Sequence, residues 1–173
     1  MELQKSLLHN IGQCLSAASE TVAIAESVTA GFLQFSFSQI HDASTVFKGG
    51  LTVYDKSQKK ELMKLGQSHN SDRDLVSGEI AEEMALKISE IFDTDWGIGI
   101  TGYSQPSEIS DFKTFAYFSF AYKGEIILTK ILELHPRTES VNAQLYYTEF
   151  LLGCLKCELN KIAMQSHSFT GHG

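Results

Sequence analysis

Residues 21–31 read TVAIAESVTAG, and the reading of this stretch decides the fold class. Residues 21–26 form an apolar run of strand length. From 29 to 40 the apolar residues Phe32, Leu33, Phe35, Phe37 and Ile40 recur at helical spacing. A strand that turns directly into a helix opens an α/β unit. The junction carries Ser27 and Thr29. At such a junction free backbone N–H groups point outward, and the helix dipole adds positive potential. A serine there is either an N-cap or a nucleophile whose oxyanion those N–H groups hold. The small pair Ala30-Gly31 would let a ligand reach the backbone.

Upstream, Leu3, Leu7, Leu8, Ile11 and Leu15 give residues 2–18 a helical period. Downstream, HDAS at 41–44 reads as a polar loop, and residues 45–54 as a strand interrupted by Gly49-Gly50, the sign of a bulge or a close backbone approach. SQKKELMKL is a short helix, and residues 66–74 have turn composition. Ile80, Met84, Ile88 and Ile91 mark a helix over 75–92. WGIGIT at 96–101 is a buried strand, followed by a loop over 102–111. Residues 114–122 and 125–133 form a hairpin about Lys123-Gly124. A last helix runs over about 138–162, and the tail from 164 to 173 is polar, glycine-rich and expected to be disordered. There is no internal repeat and no linker. The expected architecture is a single α/β domain over 1–163, three-layer α/β/α with a mixed sheet.

Composition narrows the function. The chain has 173 residues, 43% of them apolar and 20% charged, which suits a soluble globular domain. A formal net charge of −7 argues against a nucleic-acid partner, which needs clustered Lys and Arg. No apolar run of membrane-spanning length is present, and the amphipathic N-terminus lacks the features of a signal peptide, so no membrane is expected and the expected compartment is the cytoplasm. Three cysteines fit a reducing environment. Cys154-x-x-Cys157 sits late in a helical segment, where it reads as a coincidence of helix faces and not as a redox motif. The six histidines show no metal-ligand spacing.

A serine nucleophile needs a base, and a neutral lysine can serve. YDKSQKKELMK offers Tyr54 and Lys59, which could line one pocket if Lys59 turns inward. The ordinary reading of a lysine cluster is a solvated helix face. Thr101-Gly102 ends the WGIGIT strand, where ligands bind in open α/β sheets; an ordinary strand-to-loop turn is the other reading.

Taken together, four blocks resemble the C-terminal domain of the CinA competence/damage-inducible proteins, the nicotinamide-nucleotide amidohydrolase family. AESVTAG resembles A-E-S-C-T-G-G. FKGGLTVYDKSQK is similar to F-x-x-G-x-x-x-Y-S-x-x-x-K. RDLVSGEIAEEMA resembles H-G-A-V-S-E-x-x-A-x-x-M-A, and TGYSQP resembles the start of T-G-I-A-G-P-G-G. Order and spacing agree over roughly residues 3–155. The resemblance implies a metal-free and cofactor-free hydrolysis of the amide of nicotinamide mononucleotide to nicotinic acid mononucleotide and ammonia. It implies Ser27 as nucleophile, Lys59 as general base and Tyr54 assisting proton transfer. Thr29, Ala30, Gly31, Gly50, Thr101, Gly102 and Arg137 would contact the substrate, a pyridine nucleotide. It also implies a homo-oligomer. The chain departs from the pattern at Val28 and Ala30, the latter free of strain only at negative φ. Gln105 and Glu108 stand in the phosphate loop, where Glu108 would repel a phosphate unless the loop points away. Arg137 is shifted by one position, and Asn142 replaces a second basic residue. The alternative expectation is a silent or substrate-shifted member that binds a nucleotide or a partner.

Overall fold

The computed structural model describes residues 5–66 and 75–169, with side chains to 165. The elements are α1 (Lys5–Ala18), β1 (Val22–Glu26), α2 (Phe32–Ser38), α3 (Ala43–Val46), β2 (Phe47–Thr52), α4 (Lys56–Met63), α5 (Gly78–Phe92), β3 (Trp96–Tyr103), β4 (Thr114–Tyr122), β5 (Glu125–Leu134) and α6 (Ser140–Phe169). The five strands form one mixed sheet in the order β2-β1-β3-β4-β5. β1 pairs parallel with β2 and β3, while β3–β4 and β4–β5 are antiparallel.

Alternation along the strands sends side chains to two separate cores. Ile24, Ile98, Ile100, Phe118 and Phe120 meet α1, α2 and α6 on one face, while Ala23, Ala25 and Val53 meet α4 and α5 on the other. The result is the α/β/α layering expected. Gly97 and Gly99 explain how closely α5 lies on β3. A Cβ at either would stand 1.9 Å from the Ala85 carbonyl oxygen or 2.2 Å from that of Ala81. The alternation of Gly with Trp and Ile in WGIGIT is therefore one face for α5 and one for the larger core.

Several boundaries differ from those read in the sequence. The helix expected over 29–40 begins only at Phe32, because Ala30 and Gly31 adopt φ of 51° and 96° and cannot continue a right-handed helix. The expected HDAS loop contains the start of α3, a single turn too short to show a period. The bulge expected near Gly49-Gly50 lies one residue earlier: Val22 pairs with Phe47 and Ala23 with Gly49, leaving Lys48 unpaired. β3 continues two residues past its expected end, to Tyr103. Lys123 and Gly124 both have positive φ, as a two-residue hairpin turn of type I′ demands. α6 runs past the boundary expected at 163 and stays helical to Phe169. Apart from Gly66, the loop expected over 66–74 lies outside the described residues, as do residues 170–173 of the expected tail. Cys154 and Cys157 both lie on α6, and burial pushes the Cys154 thiol up. No helix among the described residues is long and apolar enough to cross a membrane.

Candidate active site

β1 leads to β2 on one side and, through α4 and α5, back past itself to β3 on the other. The crevice beyond the C-terminal ends of β1 and β3 is therefore a topological switch point, where open α/β sheets hold ligands. A cleft of about 350 Å³ opens there. Its walls include Ser27, Val28, Tyr54, Lys56, Lys59, Gly102, Tyr103, Ser104, Gln105, Ser107 and Ser140.

Successive residues leave β1 on opposite faces. Glu26 is directed to the α2 side, and Ser27 continues the face of Ala23 and Ala25 toward α4. The Ser27 amide donates to the Ile100 carbonyl at 3.1 Å, which fastens the residue to β3. Its side chain is 4% exposed, lines the cleft, and makes no protein hydrogen bond among the described residues. Ser27 is not an N-cap: Gly31 holds that position for α2.

Lys59 turns inward, 5% exposed, from the first turns of α4. Its Nζ donates to Thr101 Oγ1 at 3.1 Å and to the Leu75 carbonyl at 3.3 Å, and Thr101 Oγ1 donates to the same carbonyl at 3.2 Å. Asp55 fixes the start of α4 by accepting from the Ser57 amide at 2.8 Å and from the Ser57 hydroxyl. These bonds hold the Asp55 carboxyl below its ordinary range. Tyr54, 65% exposed, stands on the cleft wall just before that cap. Ser27, Lys59, Tyr54 and Gly102 thus come together around one cleft.

Other expected contacts do not. Thr101 is fully buried behind the cleft as a partner of Lys59. Thr29 is buried on Glu26. Gly50 is a packing glycine, since a Cβ there would lie 2.1 Å from the Ile24 carbonyl oxygen. Ala30, Gly31 and the exposed Arg137 are also absent from the described walls. Arg137 offers its backbone amide to His135 Nδ1. Glu108 is exposed and outside the cleft, so the loop does aim that charge away. Among the described residues, Lys56 and Lys59 are the cations on its walls, and no group of three His, Cys, Asp or Glu is placed to hold a metal.

The first-turn amides of α2, expected to face the Ser27 oxyanion, are already taken. Glu26, with no exposed surface, accepts from the Leu33 amide at 3.1 Å, the Gln34 amide at 3.0 Å and the Thr29 hydroxyl at 2.5 Å. The amides of Val28 and Thr29 make no protein hydrogen bond among the described residues. α6 braces this turn and the opposite wall together. Gln144 donates to the Val28 carbonyl at 2.9 Å, Tyr147 to the Tyr103 carbonyl at 2.9 Å, and Ser140 to Ser104 Oγ at 2.7 Å. Burial pushes the Tyr147 phenol up, which keeps it a donor.

The chain matches the CinA C-terminal domain over residues 4–148. It is 35% identical over 109 residues to a CinA-like protein of Rippkaea orientalis, covering 63% of this chain and 26% of that protein. A CinA-like protein of Prochlorococcus marinus is 41% identical over 93 residues, 54% of this chain and 22% of the relative. The chain thus aligns with about a quarter of the length of these curated relatives. In fold it is similar to a competence-damaged protein (CinA) superfamily protein from Klebsiella pneumoniae, with a TM-score of 0.83 at 19% identity over 91% of this chain and 98% of that one. A competence or damage-inducible protein from Enterobacter asburiae gives 0.83 at 21%, over 92% and 99%. A match over most of its length, with four blocks in order around one cleft, makes this chain a member of the CinA C-terminal domain family.

Proposed function

We propose that the cleft hydrolyses a carboxamide, that of nicotinamide mononucleotide, to the carboxylate and ammonia. The observation that carries this reading is the convergence of Ser27 and the inward-turned Lys59 on one cleft, with Tyr54 on its wall. Ser27 Oγ bonds to the amide carbon as its proton passes to Lys59. The C–N bond then breaks, and the proton leaves with the ammonia. Water gives a proton to the same lysine and its oxygen bonds to the acyl carbon; the bond to Ser27 Oγ breaks, the proton returns to Oγ, and the acid leaves. A lysine serves as base in its neutral form. The amide of Val28, beside Ser27 on the cleft wall, is the donor for the oxyanion.

The test is ammonia release from nicotinamide mononucleotide by the purified chain. Ser27→Ala is expected to lower turnover by about 10⁴-fold or more, and Lys59→Met by about 10²- to 10⁴-fold. Retained activity in Ser27→Ala would sink the assignment. The position of Arg137 outside the cleft favours a second reading of the substrate, an amide without a phosphate. A panel of phosphate-free carboxamides separates the two, and turnover confined to the nucleotide rejects the second.

A further inference from the structure

A carboxylate with no exposed surface sits beside the nucleophile, and the proposed chemistry makes no use of it. We propose that Glu26 is a positioning residue: its carboxylate holds the turn 27–31 in the shape that presents Ser27 and Val28 to the cleft. This inference rests on the proposed nucleophile, not on the proposed substrate.

Burying a carboxylate is costly unless it is fully hydrogen-bonded. A helix start is capped more simply by a Ser, Thr or Asp at the N-cap itself. Here the N-cap is Gly31, which supplies no side-chain cap. The cap comes instead from the last residue of the preceding strand, across the whole turn. One carboxylate oxygen accepts from both Thr29 Oγ1 and the Leu33 amide, and the other accepts from the Gln34 amide. Glu26 therefore joins the end of β1, the middle of the turn and the first turn of α2. The backbone between passes through two successive left-handed residues, Ala30 and Gly31. Such a path persists only where its surroundings over-determine it. The Ala30 amide donates to the Ser27 carbonyl, and Val28 is braced by Gln144. With the first-turn amides engaged by Glu26, the amide of Val28, a residue of the cleft wall, makes no protein hydrogen bond among the described residues.

The test is phosphonylation of Ser27 by a fluorophosphonate. Oγ bonds to phosphorus, fluoride leaves and the base takes the proton, with the modified residue located by mass spectrometry. Glu26→Gln keeps the shape but sets an NH₂ group against one of the three donors. Its labelling rate, measured well below its Tm, is expected to fall by about a hundredfold, the cost of a misplaced reacting group. With nicotinamide mononucleotide the loss is expected in kcat, with KM little changed. Thr29→Val removes one of the three donors while keeping shape, and gives the same reading if Glu26→Gln does not fold. A folded variant with lower Tm but the parent labelling rate would show a purely structural role and overturn the inference. So would an unlabelled Ser27 in the parent chain. Labelling without ammonia release would reject the substrate and leave the role of Glu26 standing.

Discussion

Ala30 holds φ at 51° without the freedom of glycine. The left-handed conformation costs an L-residue about 1–2 kcal/mol, whereas glycine loses about 0.5–1 kcal/mol more than alanine in chain entropy on folding. Ala30→Gly is therefore expected to stabilise the chain by up to about 1.5 kcal/mol, read as a higher denaturant midpoint with an unchanged slope. A lower midpoint would show that the turn does not pay for this φ in the parent. The place of Ser27 at the cleft was legible because the run before it reads as a strand and the run after it as a helix, and ligands bind beyond the ends of such strands. Glu26 was not. A glutamate ending an apolar run reads as the point where the strand meets water, yet its donors come from positions 29, 33 and 34. Those donors exist only once the chain has turned left-handed at 30 and 31. Arg137, one position off the family spacing, precedes α6 and stands exposed outside the cleft walls.

α4 shows how an element delivers a residue. Its polar sequence hides two inward positions, Met63 in the core and Lys59 at the cleft, and its orientation is set at Asp55 through the Ser57 amide and hydroxyl. The folded Asp55 pKa lies below the ordinary 3.8, lowered first by the Ser57 side chain. The cap therefore contributes its full stability above 3.8 and loses it as pH falls through the lowered value. Asp55→Ala is expected to lower Tm at neutral pH, with the gap to the parent closing on acidification. A gap that persists unchanged into strong acid would remove the carboxylate from the explanation. Amides of α4 should also exchange faster in the variant while those of α5 do not. Elements with a clear period or a turn signal, such as α5 and the hairpin, were readable from local sequence. α3 was not, because four residues cannot display a period. The start of α2 depended on two φ values that no apolar pattern encodes.

The whole molecule separates its cleft from a buried polar knot at the other end of the sheet. The layering followed from alternating strands and helices, but the strand order did not, because β1 finds both of its neighbours far along the chain. At the end of the sheet opposite the cleft, Glu20 accepts from Trp96 Nε1 at 2.8 Å and from the Tyr122 hydroxyl at 2.6 Å. Lys123 Nζ lies 3.3 Å from the same carboxylate. Beside it Asp95 accepts from the Thr21 amide at 2.9 Å, so the start of β1 is tied to β3 and to the β4–β5 turn. Glu20→Gln leaves either the Trp96 or the Tyr122 donor facing an amide NH₂. It is expected to cost about 1.5–3 kcal/mol, the range for hydrogen bonds to a charged group. Trp96, the sole tryptophan and fully buried, reports the loss through its emission during urea unfolding. The Ser27 labelling rate in the folded variant is expected to match the parent, since no residue of this knot lines the cleft. A labelling rate that falls with stability would mean that the sheet transmits the disturbance along its length. The cleft would then depend on the whole sheet, not on the local turn at 27–31.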